Sequence, residues 1–315
     1  MRIHFWGVRG SVPSPLTPEQ VQSKIEAVVS RIGAKDTESP DSRETFIALL
    51  SPCLFGSVGG NTPCVQVTGT EGAHFLLDAG TGITSYGRAH DHPSDRRYAL
   101  FLSHLHWDHI QGLPFFLPLY NPLSKIDVYT AGCEAEPALE NQGREPFFPK
   151  EAGWIRVKDR CTFHSVEFDS PFDVSGLRVT AHRMDHPGYS TAYRFDEAGK
   201  SFVYATDVEI TGADFREKVN THGTFFQNVD TLVLDAQYTG SEYKKKKGWG
   251  HSSILTAVDF ALSWQVRELI LFHHDPGHDD RTLYGMLERA KDYAASFPGD
   301  SLSVRLATEG MEVVL

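Results

Sequence analysis

The chain predicts an α/β fold, and three observations carry that reading. Short apolar runs with the composition of buried strands recur along its 315 residues, a dense histidine and aspartate cluster stands directly after one of them, and a long amphipathic stripe lies near the end. Met1 to Trp6 reads as a short strand running into a turn at Gly7. A capping box with proline at the first helical position, Thr17-Pro18-Glu19-Gln20, then opens a helix whose stripe is Val21, Ile25, Val28, Val29 and Ile32 and which ends near Gly33. A second short helix is expected from Ser42 to Leu50, carrying Phe46, Ile47, Leu49 and Leu50, with Pro52 as its stop. Strands are expected at Val65 to Val67, His74 to Leu77, Tyr98 to Leu102, Ile126 to Tyr129, Leu177 to Ala181, Leu302 to Leu306 and Met311 to Leu315. The last helix, from about Asp280 to Ala295, places Leu283, Met286, Leu287, Ala290, Tyr293 and Ala294 on its core face.

Composition narrows the class. A hydrophobic content of 40% with 20 Phe supports a sizeable core, and residues 1 to 315 read as one domain with a helical insertion at about 14 to 56. Cys53, Cys64, Cys133 and Cys161 are scattered without C-x-x-C spacing, so neither a disulfide framework nor a zinc-thiolate site is indicated. No apolar stretch approaches a membrane span and the first residues lack the apolar centre of a signal peptide, so a cytoplasmic setting is expected. A net charge of −11 opposes an extended nucleic acid, whose phosphates need positive charge gathered on one face. One dense basic cluster, Lys244 to Lys247, is expected on a loop at the edge of the site, where it can attract a small anion or simply be solvated.

Chemistry concentrates in Ser103 to Gly112, S-H-L-H-W-D-H-I-Q-G. His104 and His106 at i and i+2 project to the same side of an extended chain, and a turn after Trp107 brings Asp108 and His109 to a neighbouring point. Three imidazoles and a carboxylate delivered to one place suit two divalent metal ions a few ångströms apart.

H-x-H-x-D-H after a hydrophobic strand resembles the metallo-β-lactamase superfamily, which implies a four-layer αββα sandwich with the metal centre at one edge. The resemblance assigns the remaining ligands in order. His186, seven residues before Tyr193-Arg194-Phe195, is preferred to His182; Asp207 follows the strand Ser201 to Ala205; His273, preferred to His274, closes the strand Leu269 to Phe272. It thus implies one ion held by His104, His106 and His186 and a second by Asp108, His109 and His273, with Asp207 bridging. Asp235 in D-T-L-V-L-D-A-Q-Y and His251 in Gly250-His251-Ser252-Ser253 resemble the acid and histidine of ribonuclease Z, in which His251 would protonate the leaving oxygen and Asp235 would orient and charge it. Here Asp stands where that family has Glu.

A narrower likeness, to bacterial proteins resembling class II cyclic-nucleotide phosphodiesterases, rests on F-W-G-V-R-G-S-V-P at Phe5 to Pro13, G-G-N-T at Gly59 to Thr62, L-D-A-G-T-G at Leu77 to Gly82, G-W-G-H-S-S at Gly248 to Ser253 and F-H-H-D-P at Phe272 to Pro276. In that group the turn at Pro13 and Gly59 are joined by a short loop, whereas roughly 40 residues intervene here. The extra helices are expected to cap the site or meet a dimer partner. Asp78 is expected to support the ligands, and Arg9 and Asn61 either to contact substrate or to satisfy backbone groups.

The expected function is hydrolysis of a small anionic phosphodiester, a cyclic nucleotide by preference, by attack of a hydroxide bridging two ions, zinc by preference and manganese or iron otherwise. Asp108, Asp235 and His251 are the catalytic candidates, and a homodimer is implied. Ribonuclease Z-like RNA cleavage, lactonase or thioesterase chemistry, and a non-catalytic nucleotide sensor are the alternatives.

Overall fold

The computed structural model describes all residues except 90, 91, 151, 152, 217, 218 and 298–301. The chain runs β1 (Arg2–Gly7), α1 (Pro18–Val29), α2 (Pro40–Ala48), α3 (Pro52–Phe55), β2 (Cys64–Thr68), β3 (His74–Leu77), α4 (Gly82–Arg88), β4 (Arg97–Phe101), α5 (Trp107–Ile110), β5 (Lys125–Ala131) and α6 (Ala135–Gln142). It continues through β6 (Cys161–Val166), β7 (Phe172–Val174), β8 (Leu177–Met184), β9 (Ser190–Glu197), β10 (Lys200–Ala205), α7 (Gly212–Arg216), α8 (Val219–Phe226) and β11 (Thr231–Asp235). The last elements are α9 (Gly240–Lys246), α10 (Ile254–Ser263), β12 (Glu268–Phe272), α11 (Asp280–Ala295), β13 (Ser303–Leu306) and β14 (Glu312–Val314).

Two seven-stranded sheets result, ordered β14-β1-β2-β3-β4-β5-β6 and β13-β12-β11-β10-β9-β8-β7. Strands β3 to β6 are mutually parallel, as are β10 to β13, and β8 runs the same way as β10 because each pairs antiparallel with β9. The sheets face each other across an apolar layer in which Phe75 and Phe101 of the first meet Phe195 of the second at ring separations of 6.0 and 5.4 Å. Each of these rings is fully buried, which contributes about 1.5–3 kcal/mol apiece. Leu283, Met286, Leu287, Ala290 and Ala294 of α11 join that layer's core, while Ile83 and Tyr86 of α4 and Ile110 of α5 pack with Leu76, Tyr98 and Leu100 on the outer face of the first sheet. Helix, sheet, sheet and helix therefore stack as the expected four layers.

Two local expectations are corrected, and the cover expected for α1 is not supplied within one chain. Pro52 stands at the first position of α3, and α2 starts at Pro40 behind the Ser39 cap. Lys244 to Lys246 lie on the last turn of α9, capped by Thr239 and Glu242, where a loop was expected. The stripe of α1 is open: Val21, Ile25 and Val29 are exposed, and α1 is held instead by Lys24, whose Nζ meets Asp280 Oδ2 at 2.7 Å and the Gly56 carbonyl at 2.8 Å.

Candidate active site

Parallel strands in both sheets end at one edge of the sandwich, and the site is assembled from those ends. After β4 the chain stays extended through His106, so that His104 and His106 point the same way with ring centres 4.4 Å apart, and α5 then turns Asp108 and His109 inward. His186 follows β8, Asp207 follows β10 and His273 follows β12. Asp207 and His273 have φ of 49° and 61°, and Asp78 at the end of β3 has 63°. Left-handed backbone at three non-glycine residues costs about 1–3 kcal/mol each, a strain that concentrates at functional sites.

The structure brings all seven expected ligands together as two groups sharing Asp207: His104, His106, His186 and Asp207, and Asp108, His109, Asp207 and His273. Asp207 Oδ2 faces the first group, 3.7 Å from His104 Nε2 and 3.8 Å from His186 Nε2. Its Oδ1 faces the second, 3.1 Å from the Nε2 atoms of both His109 and His273. Asp108 Oδ2 lies 3.2 Å from the same two nitrogens, and His106 Nδ1 lies 3.1 Å from His186 Nε2. Donors about 2.0–2.1 Å from a tetrahedral ion are separated from one another by roughly 3.3 Å, so both groups have the spacing a small divalent cation requires. Nε2 of His104 and of His109 are buried without a hydrogen-bond partner, which fits donors aimed at such a cation.

Surrounding groups fix which nitrogen each imidazole presents. His109 donates from Nδ1 to Asp78 Oδ2 at 2.8 Å, and Asp78 also accepts from Ser103 N and Oγ at 2.7 and 2.9 Å and from the Tyr204 hydroxyl at 2.7 Å. His186 donates from Nδ1 to the Gly250 carbonyl at 2.8 Å, leaving Nε2 for the site. Burial holds His104, His106 and His186 below the usual histidine range, which keeps them neutral and able to donate a lone pair. At His109 burial opposes the charge, but the carboxylates of Asp207, Asp108 and Asp78 outweigh it and raise its pKa, a measure of the negative potential gathered there. Close approach matters too: a Cβ on Gly10 would stand 2.5 Å from His273 Nδ1, and one on Gly250 2.4 Å from His186 Nδ1.

Beside the two groups, His251 donates from Nδ1 to Asp235 Oδ2 at 2.6 Å, and its ring stacks 5.0 Å from that of His273 and lies 5.3 Å from that of His186. Asp235 Oδ1 accepts from the backbone of Ser252 and Gln237, so the carboxylate is pinned from both sides. Burial opposes a charged His251, yet the adjacent Asp235 carboxylate raises its pKa to about 9.

The competing histidines are engaged elsewhere. His182 contacts Asp169 and His222, His274 contacts the Ala307 carbonyl, and His278 contacts Glu242. Arg9 is buried and donates to the carbonyls of Gly59 and His278, and Asn61 pairs with Glu309, so both satisfy structural groups. Sequence reasoning missed Ser103 and Tyr204 behind Asp78, and it missed Glu209, whose carboxylate accepts from Gly248 N at 2.9 Å and Gly250 N at 3.0 Å and so shapes the loop leading to His251. The sequence signal for Glu209 is slight: an acid in an apolar stretch two residues after Asp207.

Comparison with known proteins agrees with this construction. Residues 73–274 match the family model described as a beta-lactamase superfamily domain. Ribonuclease BN of Citrobacter koseri is 26% identical over 273 residues, covering 74% of this chain and 88% of that protein. Among solved structures, the metallo-beta-lactamase fold protein YhfI of Bacillus subtilis superposes with a TM-score of 0.63 at 15% identity, covering 99% of each chain. Human tRNase Z, short form, gives 0.60 at 18% identity, covering 100% of this chain and 99% of the other. With two helix-flanked sheets and a family match over most of its length, the chain belongs to the beta-lactamase superfamily and is a metal-dependent hydrolase.

Proposed function

We propose that the chain is a dinuclear phosphodiesterase acting on a small anionic phosphodiester, with a cyclic nucleotide as the preferred substrate class. The observation that carries the reading is the Asp235–His251 pair standing against both ligand groups, since a leaving alkoxide needs a proton and Asp235 both orients His251 and favours its charged form. His104, His106 and His186 would hold one ion and Asp108, His109 and His273 the other, with Asp207 shared; the nitrogen and oxygen donor set favours zinc, with manganese or iron compatible. When bound, the ions supply a water acidified toward neutrality and positive charge for the phosphoryl oxygens. Asp78 orients His109, Gly250 orients His186, and Asp235 holds the His251 proton at Nδ1 so that Nε2 is left to serve the leaving oxygen.

Cleavage of RNA is the second reading, favoured by the likeness to Ribonuclease BN. A net charge of −11 favours the small substrate, because an extended phosphate backbone would meet repulsion over most of the surface. The open stripe of α1 supports a homodimer, and four free cysteines support a reducing, cytoplasmic setting. Among the described residues no helix is long and apolar enough to cross a membrane.

The test is hydrolysis of bis(p-nitrophenyl) phosphate, of 2′,3′- and 3′,5′-cyclic nucleotides and of a tRNA precursor by metal-analysed protein and by Asp207→Ala. Cyclic-nucleotide turnover abolished in the variant is the expected result. Two bound metals with no phosphodiester turnover would refute the reading, and loss on His251→Ala at unchanged metal content would separate an enzyme from a sensor.

A further inference from the structure

Five tryptophans occur in the chain, and two of them, each adjacent in sequence to residues of the site, are left exposed. Trp154 and Trp264 are 5% and 6% exposed, and Trp6 stacks on His4 and donates from Nε1 to Gln66 at 3.0 Å. Trp107 and Trp249, by contrast, are 66% and 61% exposed. An indole offers one of the largest apolar areas of any side chain, so two uncovered ones on a folded protein call for an occupant.

Both are chain neighbours of residues that form the site. Trp107 lies between His106 and Asp108, and Trp249 directly precedes Gly250 and His251. A short run of contacts joins them: His106 Nδ1 is 3.1 Å from His186 Nε2, and His186 Nδ1 donates to the Gly250 carbonyl at 2.8 Å. The two indoles thus adjoin opposite ends of a chain of side chains that spans the first ligand group.

Trp249 is displayed on a stiff mount. Gly248 and Gly250 on either side have φ of 85° and 89°, which L side chains rarely adopt, and Glu209 accepts from the amides of both. Lys246 Nζ lies 4.4 Å from the centre of the Tyr238 ring and 5.8 Å from that of Trp249, and pairs with Asp275 Oδ2 at 2.9 Å. Exposed Lys244, Lys245 and Lys247 flank it. Flat apolar faces beside a cationic rim and a phosphate-cleaving centre match one ligand chemistry, an aromatic base carrying a phosphate.

We propose that Trp107 and Trp249 form a base-binding subsite, so that a phosphodiester bearing a nucleobase is selected over a base-free one of the same charge. The inference rests on the phosphodiesterase reading for its catalytic consequence, and a binding measurement tests it independently. Base stacking on an aromatic side chain is worth about 5- to 140-fold in affinity per base.

Metal-analysed wild type, Trp107→Ala, Trp249→Ala and the corresponding Phe variants would be compared on 2′,3′-cyclic AMP and on a methyl riboside 2,3-cyclic phosphate that lacks the base. The expected result is a fall of about 5- to 140-fold in selectivity for the nucleotide in each Ala variant, carried by KM, with substantial rescue by Phe. Loss shared equally by both substrates, or no change in selectivity, would overturn the proposal while leaving the phosphodiesterase reading intact. In the second arm, AMP should quench wild-type tryptophan emission and ribose 5-phosphate should not, with the quenching lost in the doubly substituted Phe protein. If wild type cleaves neither substrate, the phosphodiesterase reading fails and this arm decides the subsite: quenching by AMP sustains it, and equal response to AMP and ribose 5-phosphate rejects it.

Discussion

Replacing Asp235 by Asn isolates what its charge does. The amide retains the shape of the carboxylate and can still accept from His251 Nδ1, which Asp235 Oδ2 meets at 2.6 Å, but it removes the negative charge. In the wild type burial opposes the imidazolium and Asp235 more than compensates, raising His251 from 6.5 to about 9. At 1.36 kcal/mol per pKa unit that is about 3 kcal/mol in favour of the charged ring. Because the folded value lies above the unfolded one, the linked stability is fully present below pH 6.5 and is lost as the pH rises through about 9. Without the carboxylate the largest raising influence is gone, and burial is opposed only by the charges of Asp207 and Asp108, so His251 falls back toward its ordinary range. A return to the ordinary value of about 6.5 would take the protonated fraction at pH 8 from about nine-tenths to about 3%, so the loss of the acid form approaches roughly 30-fold. Measured as kcat against pH, Asp235→Asn should lose about 30-fold at pH 8 on a nucleotide, whose leaving oxygen needs a proton, and recover toward pH 6. A p-nitrophenyl ester, whose leaving group departs unprotonated, should lose much less. Parallel pH profiles for variant and wild type, or equal losses on both substrates, would refute the reasoning.

Three further outcomes are expected. Asp207→Ala removes the carboxylate shared by both ligand groups, so metal content measured by plasma emission should drop below one equivalent and activity should disappear; two retained equivalents would contradict the shared role. Gly250→Ala forces a Cβ to 2.4 Å from His186 Nδ1 and 2.3 Å from Pro187 Cδ at a φ of 89°, so kcat/KM should fall at least about tenfold and chemical unfolding should show a loss of about 1–3 kcal/mol. Glu209→Gln leaves the amides of Gly248 and Gly250 with a weaker acceptor; about 1–2 kcal/mol of stability should be lost, together with kcat, and unchanged kcat would show that the loop does not position His251.

The convergence of these seven residues was legible from the first motif and the family resemblance: Asp207 and His273 close apolar strands, whereas His186 was placed by its spacing to Tyr193-Arg194-Phe195. His186 and His182 illustrate the limit. Both lie near the end of β8, and what separates them is that His182 is within the strand and engaged by Asp169 and His222, whereas His186 lies in the turn beyond it. Asp78 was legible as a supporting group, yet Ser103 and Tyr204 were not: Ser103 meets Asp78 through the pairing of β3 with β4, and Tyr204 reaches it from the other sheet only when the two sheets are docked. The α9 helix was readable and was overlooked: Thr239 and Glu242 form its capping box, while four consecutive lysines suggested a loop. Pro52 shows a real ambiguity, because proline both ends one helix and begins the next. Periodicity placed Val21, Ile25, Val28 and Val29 on α1, with Ile32 falling beyond its end at Val29, but an apolar stripe states that a cover is favourable without stating whose surface supplies it.

The ligands are divided between the two sheets: His104, His106, Asp108 and His109 come from the first, and His186, Asp207 and His273 from the second. A cation held by such a set works as a rivet through two plates. Its binding free energy opposes separation at one rim of the sandwich only, while at the opposite rim Glu197 of the second sheet meets the Met1 ammonium and Thr70 of the first. With ions bound there, the protein would resemble a book clasped at its fore-edge, and the clasp that serves chemistry would also help to keep the covers closed.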